Sequence, residues 1–227
     1  MERKFKFAPD EYYHIYNRGV DKRKIFLTNN DHRRFVKLLY LANSEKSVDF
    51  KTVKDKGLDE IDRGQTIVDI GAYCLMPNHF HLLLREKKDN GITIFLSKLS
   101  TAYSMYFNKR HDRSGRLLEG IFKATHVDND EYLKYLFAYI HLNPIKLIDP
   151  SWKDYGIKDR ESALNYLTNY QFSSYLDYLG ENRGEKLILN RESFPGYFHS
   201  PKDFDDYLGV WLDNDDQKLH HISKLQG

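Results

Sequence analysis

The stretch YCLMPNHFHLLL, residues 73–84, constrains the fold more than any other part of this sequence. Pro77 and Asn78 predict a tight turn, and the apolar runs on either side of it predict two adjacent strands. Side chains alternate between the two faces of a strand, so His79 and His81 point to the same face. The three leucines that follow are typical of a central, buried strand. We therefore expect a hairpin inside a packed sheet, with two imidazoles on one face.

Two imidazoles at this spacing can both reach one divalent cation, and a rigid central strand would hold them in place. The same pair can instead be two hydrogen-bonded histidines in a polar crevice. The spacing alone leaves both interpretations open. The chain has a single cysteine, Cys74, and no HExxH helix, which argues against a cysteine zinc cluster and a familiar zinc protease.

The other apolar patterns predict an α+β fold. Alternation predicts further strands, and apolar residues at helical spacing predict three long helices, the last of them ended by Pro144. The resulting order is β-α-β-β-α-β-α. This order predicts a ferredoxin-like sandwich, which is an antiparallel sheet with helices on one side.

The pattern changes after Pro150, where only short helical pieces follow. We divide the chain into a main domain, residues 1–150, and a mostly helical C-terminal extension packed on it, residues 151–227. The extension ends in an acidic stretch that contains Asp203, Asp205, Asp206, Asp213, Asp215 and Asp216.

The composition, with 41% hydrophobic and 30% charged residues among 227, is typical of a soluble globular protein. The formal net charge is only +2, so a nucleic-acid partner must be argued from local clusters of charge. The first residues show no secretory signal, and no apolar run approaches the roughly 20 residues that span a bilayer. We expect a cytoplasmic protein without disulfides or a membrane anchor.

A tyrosine stripe marks the helix that Pro144 ends. Tyr132, Tyr135 and Tyr139 share one helical face, and Asn143 follows Tyr139 by one turn. Core packing is the plain interpretation for the first two tyrosines. Tyr139 differs because the amide oxygen of Asn143 could bind a hard cation. A phenol, two imidazoles and an amide together would make a metal-assisted nucleophilic site.

Five stretches of the chain occur in an order and spacing that carry a resemblance. They are YHIYNRGVDKRKIF, MPNHFHLLL, RHDRSGRLLEGIFKA, YIHLNPIK and FSSYLDYLG. Together they resemble the single-tyrosine HUH transposases, in particular the REP-associated, IS200-like branch of that family. MPNHFHLLL looks like the family's His-hydrophobic-His motif, and YIHLNPIK resembles the block with the nucleophilic tyrosine. The resemblance covers roughly residues 12–180.

The resemblance implies a mechanism and a role for each site residue. Residues 1–150 would be an HUH transposase-like catalytic domain, with Tyr139 as the nucleophile. His79, His81 and, as the candidate third ligand, Asn143 would hold Mg²⁺ or Mn²⁺. The substrate would be single-stranded DNA, cleaved near hairpins through a 5′-phosphotyrosine and rejoined without an energy cofactor.

Two basic loops are candidate DNA contacts. The first is NRGVDKRK, residues 17–24, and the second is KRHDRSGRLLEGIFK, residues 109–123. The alternative is that they are solvated charged loops. The family more usually has an aromatic residue near Leu118 and a basic one near Ile121, so this chain departs from the pattern there. The candidate DNA-binding residues are Arg18, Lys22, Arg23, Lys109, Arg110, Arg113, Arg116 and Lys123.

Three functions remain open at this point. The first is a transposase that cleaves DNA, and the second is a domesticated relative that binds structured DNA without cutting it. The third is a metal-dependent hydrolase without a covalent step, in which Tyr139 is a core residue. Some relatives are dimers that exchange the tyrosine helix, whereas the REP-associated branch looks monomeric. We expect a monomer, with a dimer as the alternative.

Overall fold

A computed structural model describes residues 6–212 of the chain. In this part, no helix is both long and apolar enough to cross a membrane. Short 3-10 turns occupy Val20–Lys22, Asn143–Leu147, Gly184–Ile188 and Arg191–Ser193. The strands and α-helices are, in chain order, β1 (Tyr12–Arg18), α1 (Asn29–Ala42), α2 (Phe50–Val53), β2 (Val68–Met76), β3 (His79–Glu86), α3 (Gly91–Arg110), β4 (Lys123–Val127), α4 (Asp130–Leu142), α5 (Trp152–Tyr155), α6 (Arg160–Asn169), α7 (Tyr175–Tyr178) and α8 (Pro201–Leu212).

The four strands form one antiparallel sheet in the order β2-β3-β1-β4. β2 ends at Met76 and β3 begins at His79, so Pro77 and Asn78 make the turn that the sequence predicts. α1 lies between β1 and β2 in the chain, and α3 lies between β3 and β4. This is the connectivity of a ferredoxin-like sandwich. The predicted α+β class with an antiparallel sheet is confirmed.

The sheet has helices on both faces, whereas the sequence pattern predicted helices on one side. α1 and α3 pack on the first face, as a ferredoxin-like sandwich requires. α4 covers the second face, together with part of the chain that follows it. The physical reason is the apolar character of β2, of which every residue is buried. A strand that is buried on both sides needs a layer of packing partners on each.

Buried Asp31 joins the end of α3 to the start of α1. Its carboxylate accepts the N–H of Thr28 (2.8 Å) in a capping box, while the Thr28 hydroxyl accepts the N–H of Asp31. The same carboxylate accepts the hydroxyl of Tyr106 (3.1 Å) and lies 3.0 Å from Nε2 of His111. These bonds attach the basic loop after α3 to the rest of the fold.

Buried Ser174 joins β2 to α4. Its N–H donates to the carbonyl oxygen of Tyr73 (3.0 Å), and the N–H of Tyr73 donates to the Ser174 hydroxyl oxygen (2.9 Å). On α4, Nδ1 of His141 donates to the carbonyl oxygen of Phe137 (2.7 Å), because that oxygen can only accept. Burial lowers the pKa of His141 to about 3, so the ring is neutral. Its Nε2 therefore accepts the Ser174 hydroxyl proton across 2.7 Å.

The chain beyond residue 150 packs against α4. Phe204 and Leu208 of α8 are buried in the same apolar cluster as Leu136 and Ile140 of α4. The division into domains at residue 150 stays a prediction. Of the acidic stretch, Asp203, Asp205 and Asp206 lie on α8, whereas Asp213, Asp215 and Asp216 fall outside the described residues.

We expect Ser174→Ala to lower the free energy of unfolding by about 1–3 kcal/mol, because it leaves the Tyr73 N–H and the His141 Nε2 buried without this partner. Urea unfolding followed by circular dichroism measures the change. The control is Ser97→Ala, at an exposed position of α3, which should change stability by less than about 0.5 kcal/mol. Equal unfolding midpoints for the two variants would contradict the linking role of Ser174.

Candidate active site

Three imidazoles and a phenol meet on the second face of the sheet. In the register of β1 against β3, Tyr16 lies opposite His81. His14, two residues earlier on β1, shares that face, and its ring lies 5.1 Å from the His81 ring, centroid to centroid. The rings of His79 and His81 are 5.0 Å apart and perpendicular. The structure thus adds His14 to the predicted histidine pair.

Hydrogen bonds set the orientation of the histidine pair. Nδ1 of His79 lies 2.6 Å from Oδ1 of Asn78, and because an amide oxygen only accepts, Nδ1 carries the proton. Nδ1 of His81 lies 2.9 Å from Nε2 of His14. When His81 donates in this contact, Nε2 of both His79 and His81 presents a lone pair. Metal-binding histidines usually have this arrangement, in which the second ring nitrogen donates to another group.

The donor chemistry of the histidine pair fits a divalent cation, since neutral imidazole nitrogens are common metal ligands. Within residues 6–212, no group of three or more His, Cys, Asp or Glu side chains is placed to hold a metal ion. A cation at His79 and His81 would therefore take its other ligands from amide, water or phosphate oxygens. Oxygen ligands of these kinds suit the hard ions Mg²⁺ and Mn²⁺.

Tyr139 lies over this group of histidines. α4 crosses the second face, and the Tyr139 ring packs edge-on at 5.4 Å from the His81 ring and 5.6 Å from the His14 ring. Tyr132 and Tyr135, on the same helical face, are buried in the apolar cluster beneath the C-terminal segment. Only the third tyrosine of the stripe reaches the histidines.

Asn143 lies one turn beyond Tyr139 and is buried. Its side-chain amide nitrogen donates to the carbonyl oxygen of Tyr139 (2.7 Å), which satisfies one of the unpaired carbonyl groups at the end of α4. The structure therefore brings Asn143 next to the backbone of Tyr139. Its role as a metal ligand stays a prediction.

Burial and nearby ammonium groups keep the three imidazoles neutral. Burial, with a smaller contribution from Lys153, lowers the pKa of His14 to about 3. Burial is also the main cause for the other two rings, with Lys146 and Lys153 adding to it: the pKa of His79 falls to about 4 and that of His81 well below its usual value. Both causes disfavour the imidazolium form. Neutral rings are the form that binds metal ions.

The sequence analysis missed three residues of this site: His14, Tyr16 and Lys153. The alternation in YYHIYNR places the first two on one face of a strand, so part of the signal was present. The pairing of β1 with β3 was needed to bring that face beside His81. Nothing in the local sequence marks Lys153, whose Nζ lies 4.0 Å from the centroid of the Tyr139 ring.

Three loops meet at the end of the sheet where β3 begins. The N–H of Gly19 donates to the carbonyl oxygen of Asn78 (2.9 Å), and Gly19 also forms an antiparallel bridge with Leu118. The two basic loops of the sequence analysis are therefore neighbours in space. Predicted DNA-binding residues on the strands and loops at this end are Arg18, Lys22, Arg23, Arg116 and Lys123.

Two of the predicted DNA contacts in the first loop form ion pairs within the protein. Arg18 binds both carboxylate oxygens of Glu119, the longer contact measuring 3.1 Å. Arg23 lies 3.3 Å from Asp21, and both side chains are exposed. Each pair reduces the positive field of its loop without removing the side chain from the surface.

The second loop contains both anchored and exposed cations. Nε of Arg110 lies 3.9 Å from the buried Asp31, and Arg113 donates to Oδ1 of Asn108 (3.0 Å). These two side chains help to hold the loop. The predicted DNA contacts that are exposed to solvent are Lys22, Arg23, Lys109, Arg110, Arg116 and Lys123.

Comparison with known proteins identifies the family of this chain. The profile of the family described as "Transposase IS200 like" matches residues 9–143, which is more than half of the chain. The chain therefore belongs to the IS200-like transposase family. Family membership gives it a transposase-type function.

Comparisons with curated proteins and with solved structures gave different results. No curated protein matches the sequence. A solved structure of a REP-associated tyrosine transposase bound to a REP hairpin is similar to this chain, with 12% sequence identity and a TM-score of 0.49. The alignment covers 81% of this chain and 87% of that one.

In the presence of a chelator, we expect the free energy of unfolding to fall between about pH 7 and about pH 5. The folded-state pKa of His14 lies below the value near 6.5 of an unfolded histidine, so the unfolded state binds more protons in this range. The contribution of neutral His14 to folding stability is present above the pKa of an unfolded histidine and is lost as the pH falls. His14 alone contributes roughly 2 kcal/mol of this loss.

The measurement is urea unfolding at both pH values. His14→Phe should reduce the loss by about that amount, whatever its effect on stability at pH 7. His199→Phe is the control, because His199 is exposed and its replacement should leave the loss unchanged. The same loss in wild type and His14→Phe would refute the neutrality of His14.

Proposed function

We propose that this protein is a metal-dependent, HUH-type transposase that cleaves and rejoins single-stranded DNA near hairpins through a 5′-phosphotyrosine. The observation that carries the proposal is the contact between the phenol ring of Tyr139 and the rings of His81 and His14. The ring of Tyr139 thus lies beside one candidate metal ligand, His81, and beside His14, which orients that ligand. Strand cleavage requires a nucleophile next to a bound cation. Membership of the IS200-like family supports the same reaction.

The reaction balances without an external energy source. The phenolic oxygen of Tyr139 attacks the phosphorus, an O–P bond forms and the bond between phosphorus and the 3′ oxygen breaks. The phenol loses its proton, and the leaving 3′ oxygen gains one. Attack of another 3′-hydroxyl on the phosphotyrosine reverses these changes and joins two strands. One phosphodiester is exchanged for another, so no nucleotide cofactor is needed.

The chain's own residues have separate tasks in this reaction. His79 and His81, neutral and oriented by Asn78 and His14, would hold Mg²⁺ or Mn²⁺, with Asn143 as the candidate third ligand. Such a cation, when bound, neutralises charge on the oxygens of the scissile phosphate.

A single chain contains all the side chains that we assign to the reaction. α4 packs on the sheet of its own chain, and Tyr139 contacts His81 of the same chain. Exchange of the tyrosine helix between two copies is therefore unnecessary for a complete site. This arrangement supports an active monomer.

The DNA would lie across the end of the sheet where the basic loops meet. Arg18 and Lys123 lie on the strands that flank the site, and Lys22 and Arg116 lie in the adjoining loops. Cations at these positions can bind phosphates on either side of the scissile bond. We propose single-stranded or hairpin DNA as the partner.

The first test is covalent trapping on labelled single-stranded hairpin DNA with Mn²⁺. Wild type should give an adduct that resists denaturation, and Tyr139→Phe should give none, because phenylalanine has no oxygen to attack phosphorus. The control is Tyr135→Phe on the same helix, which should keep the adduct. Cleavage by Tyr139→Phe would favour a hydrolase without a covalent step, and binding without cleavage by wild type would favour a non-cutting DNA-binding protein.

The second test concerns the DNA surface. Arg116→Gln with Lys123→Gln should weaken hairpin binding and reduce the slope of log affinity against log salt by about 1.4, because two phosphate contacts are lost. Fluorescence anisotropy over a range of salt concentrations measures the slope. The control is Lys51→Gln with Lys54→Gln, at exposed positions in and after α2, which packs with α1 and α3 on the opposite face. An unchanged slope in the first double variant would place the DNA elsewhere.

A further inference from the structure

The ammonium group of Lys153 lies against the ring of the proposed nucleophile. Its Nζ lies 4.0 Å from the centroid of the Tyr139 ring, which is within the range of a cation–π interaction. The residue belongs to α5, a four-residue helix whose first residue, Trp152, is buried. Trp152 therefore anchors the segment that brings Lys153 to the ring of Tyr139.

The ammonium group of Lys153 forms no direct ion pair in the part of the chain that the structure describes. Its second ring contact is with Trp152 at 5.6 Å, and the carboxylate of Asp154 acts on it only through space. Partly burying an ammonium group without a direct ion pair is unfavourable. The positive charge of Lys153 beside the phenol of Tyr139 therefore lowers the stability of the fold.

The protonation state of Lys153 agrees with a role as a cation. Burial and, to a smaller extent, the neighbouring Lys146 lower its pKa to about 8, against the opposite effects of Cys74 and Asp154. A pKa of about 8 still leaves most of the amine protonated at pH 7. The group therefore contributes a positive charge under ordinary conditions.

We propose that Lys153 is a positioning residue for strand cleavage: its ammonium group holds the ring of Tyr139 in the direction of attack and places a positive charge beside the nucleophile. This inference rests on the proposed function, because it assigns a task to Lys153 in that same reaction. It also assigns part of the site to residues 151–227, which the sequence analysis treated as an extension.

Lys153 contacts the ring of Tyr139 differently from the aromatic neighbours of that ring. The rings of His14 and His81 are T-shaped to it, and the Tyr135 ring is tilted by 50°. The ammonium of Lys153 lies 4.0 Å from the ring centroid. A tyrosine that turns away from the phosphate loses the near-attack geometry on which rate depends. The positive charge also attracts the phosphate to the place where the phenol can reach it.

The activity test compares Lys153→Met with Lys153→Arg in the full chain. Lys153→Met should lower the single-turnover rate of adduct formation at saturating hairpin DNA by roughly 10- to 100-fold, with little change in the half-saturating DNA concentration. Lys153→Arg keeps the charge and the stacking and should recover most of the rate. Lys158→Met is the control, because Lys158 lies in the same segment and is largely exposed.

The second readout needs neither DNA nor metal. 3-Fluorotyrosine is placed at position 139, and its fluorine resonance is recorded in each variant. Lys153→Met should shift or broaden the resonance, because the ring loses the cation on its face. Lys153→Arg and Lys158→Met should leave it close to that of the parent protein.

The outcomes separate the inference from the function on which it rests. A wild type that forms no adduct refutes the proposed function, and the fluorine resonance still tests the contact between Lys153 and Tyr139. An unchanged resonance in Lys153→Met overturns the inference. So does a Lys153→Met variant that forms adduct at the wild-type rate, or one whose only defect is weaker DNA binding.

Discussion

One buried hydroxyl group links α4 to the sheet by hydrogen bonds, beside the apolar packing between them. Ser174 accepts the N–H of Tyr73 from the edge of β2 and gives its own proton to His141 on α4. Tyr139 lies only two residues before His141, so any shift of this contact moves the phenol relative to the histidines of β3. The geometry of the site thus depends on a hydrogen bond that lies outside it, and on a histidine that must stay neutral to accept it.

The parts that the sequence predicts well depend on local periodicity. The turn at Pro77 and Asn78 and the common face of His79 and His81 follow from alternation along neighbouring strands. The α+β order follows from the same patterns. Tyr139 was singled out of its stripe by a neighbour one turn away, and the resemblance to a known family supported that choice.

The parts that the sequence does not predict depend on contacts between distant segments. His14 joins the site only because β1 pairs with β3, and a single strand pattern carries no register with another strand. Lys153 lies ten residues beyond the end of the family match at residue 143, in a segment without a motif. The second layer of helices was missed because a fully apolar strand such as β2 does not reveal which segment covers each face.

The two edges of the sheet are protected in different ways. Residues 172–174 lie along β2 and take up part of its outer edge, whereas β4 has a single neighbour in the described sheet and begins with the exposed Lys123. An open edge strand can pair with the same strand of another molecule, and an exposed lysine on it opposes this by repulsion between like charges. Lys123 occupies such a position. The charge that would attract a polyanion to the site therefore also disfavours pairing of this edge with its copy in another molecule.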